Sequence, residues 1–290
     1  MTTKHRDEVP VGRYYGEREI TITPELVQHY ADSVQDFNPW YFGDSPFGGP
    51  VAPALILHSE VYHTIDWYLS IFGNLHARQE WELFAPIMVG DTVTARRQII
   101  DRYTRRDREY LVNETAIYGA DGRILNRGRT HQSFLVRSEG GGDVVVDKKR
   151  EKRSDRSFEA EDENALEELS IAEKEITLEM CQKFSGPHKN YHNDREQARA
   201  LGFPDIVVQG MMSLCFISEM MTGRFGEGWF SGGKMNVALV NVLWQGESVT
   251  ARGNATEEAA EGERKRLGLR VWCQKADATK FVVGTASATE

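Results

Sequence analysis

The side chains able to move protons gather in two short segments of this 290-residue chain. Asp36-Phe37-Asn38-Pro39-Trp40-Tyr41 sets one carboxylate near a phenol. Ser185-Gly186-Pro187-His188-Lys189-Asn190-Tyr191-His192-Asn193-Asp194 sets two imidazoles near a carboxylate. Imidazole titrates closest to neutrality, so His192 and His188 are the natural acid or base of a proton-transfer site. Each also has a structural reading: His192 as a loop histidine bonded to the core, His188 as a ring facing solvent. Asp194 reads best as the N-cap of a helix starting near Arg195. Tyr41 is a poor base, since a phenol loses its proton only near pH ~10.

The elements that must position these groups come as a weak internal repeat. Gly90-Asp91-Thr92-Val93-Thr94-Ala95-Arg96 recurs as Gly246-Glu247-Ser248-Val249-Thr250-Ala251-Arg252, and Ile22-Thr23-Pro24-Glu25-Leu26 as Ile176-Thr177-Leu178-Glu179-Met180. The anchors keep the same order in both halves, which points to two copies of one unit. Each copy opens with a helix; in the first it covers 24–34, with Thr23 as N-cap and Pro24 at the first helical position. A Gly/Pro-rich stretch follows, then a long apolar segment, 54–72 in the first half and 207–225 in the second, expected to be a central helix. Strands are expected at 80–88, 92–103, 110–118 and 124–136, then at 234–244, 248–256, 265–274 and 280–286. A buried helix wrapped by an antiparallel meander is an α+β unit, and two such sheets in one chain can join edge to edge. The expected division is 1–137, a charged linker 138–170, and 171–290.

Composition narrows the class. The net charge of −9 argues against a broad nucleic-acid face. The run KKREKRSDR after the triple glycine reads as a solvated linker, with a nucleic-acid-binding tail as the sharper alternative. Cys181, Cys215 and Cys273 form no CxxC pair, so neither a zinc site nor a disulfide framework is implied. No dinucleotide-binding glycine pattern appears, so no metal or redox cofactor is expected. The N-terminus lacks an apolar core, and no run of about 18 apolar residues occurs, so the expectation is a cytoplasmic protein without a membrane anchor.

Asp36 to Tyr41 with Gly48-Gly49-Pro50-Val51-Ala52-Pro53 resembles the N-terminal half of MaoC-like dehydratases. Ser185-Gly186, Tyr191-His192-Asn193-Asp194 and Gly202-Phe203-Pro204-Asp205-Ile206-Val207-Val208-Gln209-Gly210-Met211 resemble the C-terminal half of the same double hot-dog proteins. The resemblance implies a double hot-dog fold and a motif S-G-D-x-N-P-x-H, whose Asp and His activate water for addition to an α,β-unsaturated thioester. Here the motif is split. The first half keeps Asp36, Asn38 and Pro39 but has Tyr41 for the histidine; the second keeps Ser185, Gly186 and His192 but has Pro187 for the aspartate.

His192 is therefore the leading catalytic candidate, with His188 as a stand-in for the missing carboxylate. Asp36 is read as a relic anchoring the Asn38-Pro39 turn or, if the first half is active, as a working acid. Gly210 offers an amide for the thioester oxygen, close packing at the helix start being a compatible reading. Gln209 and Asn190 are counted with it as substrate-binding candidates. The basic residues Arg96, Arg97, Arg102, Arg105, Arg106 and Arg108 suit coenzyme A phosphates or, the favoured reading, a solvated strand face.

The expected function is a hydro-lyase acting on an acyl-CoA or acyl-carrier thioester, as a homodimer, with coenzyme A present only as part of the substrate. The alternatives are a degenerate acyl-thioester-binding or structural hot-dog subunit, and a thioesterase in which Asp36 activates water.

Overall fold

The computed structural model describes residues 9–64, 75–105, 108–135, 165–262 and 264–290. Strand β1 (Tyr14–Thr21) leads into helix α1 (Pro24–Val34). Thr23 Oγ1 accepts from the Leu26 amide at 3.2 Å, and Gln35 ends the helix in a left-handed conformation (φ 56°). Val27, Tyr30, Ala31 and Val34, spaced i, i+3, i+4, i+7, are its buried stripe. A meander of β2 (Leu75–Leu83), β3 (Thr92–Arg105), β4 (Arg108–Tyr118) and β5 (Ile124–Leu135) completes the first half.

The second half has the same four-strand meander but adds helices ahead of it. Short strands β6 (Glu167–Ser170) and β7 (Lys174–Glu175) precede helices α2 (Leu178–Ser185), α3 (Arg195–Ala200), α4 (Gly210–Phe225) and α5 (Glu227–Phe230). Strands β8 (Lys234–Leu239), β9 (Ser248–Glu261), β10 (Arg264–Lys275) and β11 (Lys280–Thr289) close the chain. The eleven strands form one sheet in the order β1-β3-β4-β5-β2-β8-β11-β10-β9-β6, with β7 also on β9. Its two halves mirror each other across the antiparallel β2–β8 pair, where Glu80 stands opposite Asn236. Each former edge strand thus satisfies the other's backbone groups.

The repeated glycine–acid pairs are equivalent turns. Gly90 and Gly246 both have positive φ (97° and 89°). Asp91 Oδ2 accepts from the Met88 amide at 2.9 Å, and Glu247 Oε2 from the Trp244 amide at 2.8 Å.

The core lies on the inner face of the sheet. Twelve of the sixteen residues of α4 are buried, so this helix is covered on nearly every side. It rests on β9, β10 and β11, with α1 against it.

Two expectations need correction. Residues 54–64 form turns ending in a 3-10 helix (His58–Thr64), not the α-helix expected, and 65–72 lie outside the described residues. The apolar run was read as helix because hydrophobicity alone does not distinguish a buried helix from buried turns. The last four residues of the expected linker, Glu167–Ser170, form β6 on β9; their alternating exposure was masked by the neighbouring charge run. Strand β1 was not expected, being short of buried apolar residues. The central part of the linker lies outside the described residues.

Candidate active site

The chain approaching α4 is tied on two sides. Val207 N donates to Tyr191 O at 3.3 Å, and Val208 N donates to Leu243 O at 2.9 Å. His192 lies in the loop beside this segment, its ring against Tyr191 with centroids 3.9 Å apart. Its Nδ1 is 2.7 Å from Val207 O. A carbonyl oxygen only accepts, so Nδ1 carries the proton and Nε2 keeps a bare lone pair. Burial pushes the imidazole down to about 4, against a smaller upward pull from the Val207 carbonyl. At neutral pH His192 is an uncharged base with a fixed tautomer.

Helix α4 starts at Gly210, close to that segment. The amides of Gly210 and Met211 belong to the first turn, which a helix leaves without intrahelical partners. Gln209 precedes them in extended conformation; its side chain makes no cap bond, and among the described residues its buried Oε1 has no hydrogen-bond partner. A Cβ on Gly210 would sit 2.3 Å from Leu239 Cδ2 and 3.3 Å from His76 Nδ1. The close-packing reading of this glycine therefore holds, and the packing brings a first-half histidine to the helix start.

His76 was missed by sequence reasoning. Simple alternation would put it on the outer face with Arg78, Glu80 and Glu82, but a β-bulge between His76 and Arg78 turns it inward. Its Nε2 meets Gln79 Oε1 at 3.0 Å, and Gln79 Oε1 accepts from Thr130 Oγ1 at 2.6 Å. Burial lowers His76 to about 4. Tyr62 also comes from the first half; burial, then Tyr191 and Cys215, push its phenol well up.

Asn190 and His188 take other roles than expected. Asn190 Oδ1 accepts from His192 N at 2.8 Å, and its Nδ2 donates to Ser185 O and His188 O, both at 2.9 Å. Asn190 thus shapes the loop with both of its side-chain polar atoms. His188 is exposed, because its carbonyl is drawn inward by Asn190 and by Asn193 at 3.0 Å. Asp194 caps α3, accepting from Glu196 N and Gln197 N at 3.0 and 3.1 Å.

Asp36 stands in a separate buried cluster. Its Oδ2 accepts from Tyr41 Oη at 3.0 Å and its Oδ1 from Asn38 N at 3.3 Å, the turn-anchoring role read from the sequence. Burial raises its carboxyl, with Tyr41 and Lys174 pulling it back. Burial also raises Glu219 on α4 to about 7. Lys174 pairs with Glu219 and donates to Val34 O and Gln35 O at 3.0 and 2.8 Å, so it also closes the C-terminus of α1. Among the described residues no hydrogen bond joins this cluster to His192.

Two of the strand arginines are closely ion-paired: Arg96 with Glu17 at 2.9 Å, and Arg102 with Glu109. Arg106 lies outside the described residues. Two cavities of about 760 and 620 Å³ lie elsewhere, one across the β2–β8 junction and one beside Trp40 and Phe225; neither is lined by His192 or Gly210. Among the described residues no His, Cys, Asp or Glu cluster is placed to hold a metal, and no helix is long and apolar enough to cross a membrane.

Residues 10–126 match the family model of the FAS1-like dehydratase domain region. A solved MaoC-like dehydratase superposes with TM-score 0.73 at 16% identity, over 96% of this chain and 97% of that one. The resemblance to the MaoC-like family is borne out. A MaoC-like dehydratase from Phytophthora capsici gives TM-score 0.69 at 16% identity, covering 95% and 94% of the two chains. A conserved hypothetical protein from Mycobacterium tuberculosis, described as a double hot-dog, gives 0.64 at 12%, covering 98% and 96%. No curated protein matches significantly by sequence. Residues 10–126 are thus similar to a dehydratase-type region, and the chain as a whole has a hot-dog-like α+β fold.

Proposed function

We propose that this protein is a double hot-dog hydro-lyase that hydrates or dehydrates an α,β-unsaturated acyl thioester, with coenzyme A as the expected carrier. The observation that carries the reading is the His192 tautomer: Nδ1–H held on Val207 O, with Nε2 bare. In the hydration direction Nε2 takes a proton from water as its oxygen bonds to the β-carbon, and returns it to the α-carbon. The amides at Gly210 would hold the thioester oxygen while it carries negative charge. On this reading the enzyme works as a cytoplasmic homodimer and needs no metal or redox cofactor.

The test is incubation with crotonyl-CoA and with longer and branched enoyl-CoAs, following loss of the enoyl-thioester absorbance. Turnover by the wild type and its collapse in His192→Ala would support the proposal; absence of turnover on the whole series would overturn it. A second reading has its own observation. Among the described residues no carboxylate bonds His192, and a base without its acid suits an acyl-thioester binder. Calorimetric acyl-CoA binding without turnover distinguishes that case, and release of free thiol would reveal a thioesterase.

A further inference from the structure

The split motif leaves His192 without a carboxylate beside it, and the first half of the chain brings another group to the same helix start. His76 stands on β2, yet its ring reaches Gly210 at the first turn of α4. Its tautomer is fixed by its neighbours. Gln79 Nε2 donates to the Glu80 carbonyl at 3.1 Å, and reversing that amide would set two oxygens against each other. Gln79 Oε1 is therefore the atom that meets His76 Nε2 at 3.0 Å. An amide oxygen only accepts, so Nε2 carries the ring proton and Nδ1 keeps a bare lone pair. Thr130 Oγ1, donating to the same oxygen at 2.6 Å, steadies the arrangement. Burial keeps the ring uncharged, against smaller upward pulls from Gln79 and the Arg78 backbone.

His76 and His192 thus hold opposite tautomers and share one property: one nitrogen is tied back to the protein and the other is bare. Among the described residues, His76 Nδ1 and His192 Nε2 have no hydrogen-bond partner. Neither is sealed from solvent, in contrast to the unpartnered Nδ1 of His58. Both rings lie at the approach to α4. His76 Nδ1 is 3.3 Å from where a Cβ on Gly210 would stand, and His192 is fixed on Val207, three residues earlier. Tyr62 of the first half is within electrostatic reach of Tyr191, whose ring packs on His192. Tyr62, His76, Tyr191, His192, Gln209 and Gly210 are all half-buried, as the walls of a crevice open to solvent would be.

We propose that His76 is a second catalytic residue, whose bare Nδ1 accepts one hydrogen of the reacting water while His192 Nε2 accepts the other. This inference rests on the hydro-lyase reading of the site. In hydration the O–H bond facing His192 breaks, the water oxygen bonds to the β-carbon, and the proton passes from Nε2 to the α-carbon. The hydrogen facing His76 stays on oxygen and becomes that of the β-hydroxyl, so His76 ends the cycle as it began. In the reverse direction His76 holds the hydroxyl that leaves as water. Two acceptors aim the water lone pair at the β-carbon, so a histidine from the first half takes the part of the carboxylate that the second-half motif lacks.

The experiment compares wild type, His76→Phe and His76→Asn in hydration of crotonyl-CoA and longer enoyl-CoAs, with melting curves to establish folding. Phenylalanine fills the space of the ring without a lone pair, whereas asparagine sets a carbonyl oxygen near the place of Nδ1. The expected result is a fall in kcat of about ten-fold or more for His76→Phe with little change in KM, and partial recovery in His76→Asn. Nitrogen NMR of the imidazoles in the wild type at pH 7 should show the proton on Nε2 of His76 and on Nδ1 of His192, a measurement that needs no variant. A folded His76→Phe with the kcat of the wild type, equal losses in both variants, or a proton on His76 Nδ1 overturns the proposal. Wild type that turns over no enoyl-CoA overturns the hydro-lyase reading and this role with it. Turnover that His76→Phe leaves untouched overturns the role of His76 alone.

Discussion

Lowering the pH from 7 to 5 should destabilise this fold through its buried histidines. His58, His76 and His192 are pushed down to about 3, 4 and 4, in each case chiefly by burial. Their folded values lie below the unfolded value, so their stability is fully present above about pH 6.5 and is lost as the pH falls toward the folded values. At pH 5 the unfolded chain has taken up these protons and the folded chain has not, a loss of about 2 kcal/mol per histidine. Glu219 opposes this: its folded carboxyl, raised to about 7, binds a proton first and returns about 2 kcal/mol over the same interval. Asp36 is shifted in the same direction as Glu219, and His63 and His131 in the same direction as the three histidines. The net expectation from His58, His76, His192 and Glu219 is a loss of about 3–4 kcal/mol. His58→Phe isolates one contribution. The His58 ring stacks on Phe184 with centroids 4.3 Å apart, and its buried Nδ1 has no partner among the described residues, so phenylalanine keeps the contact and removes the titration. Urea unfolding followed by tryptophan fluorescence at pH 7, 6 and 5 measures both chains. The variant should lose about 2 kcal/mol less than the wild type. Identical pH slopes would refute the burial argument for His58, and a wild type that gains stability at pH 5 would refute the balance.

His192→Ala should lower the hydration rate by about 10²–10⁴-fold with a smaller change in KM, read from steady-state kinetics. Asp36→Ala should leave kcat/KM unchanged and cost about 1–3 kcal/mol in urea unfolding, because Tyr41 Oη and the Asn38 amide lose their acceptor. An equal collapse of activity would move the working site to the first half. Gly210→Ala should lower the melting temperature, its Cβ displacing Leu239 at a cost of about 1–3 kcal/mol, and should reduce kcat by shifting the helix start.

Much of the architecture was legible because it is written in local chemistry. Thr23 before Pro24 dictates a helix start whatever packs on it, and the glycine–acid turns at Gly90 and Gly246 dictate where the second strand of each meander begins. Asp194 as a cap and Asp36 as a turn anchor were legible for the same reason: each bonds amides two or three residues away. The repeat disclosed two units, and an edge-to-edge sheet is the economical way for two such units to hide their edges.

What only the tertiary structure decided depends on partners distant in sequence. A bulge, invisible to alternation, turns His76 toward Gly210, and the β2–β8 pairing brings the two halves into one neighbourhood. The tautomer of His192 is set by a carbonyl fifteen residues away, and the fate of Asn190 and His188 by the loop that folds around them. The apolar run 54–64 looked like the run that forms α4, yet its backbone forms turns, since apolar character drives burial without specifying the helix. The composition of single strands likewise hid the support behind His76, because Gln79 and Thr130 become neighbours only through the register of β2 on β5.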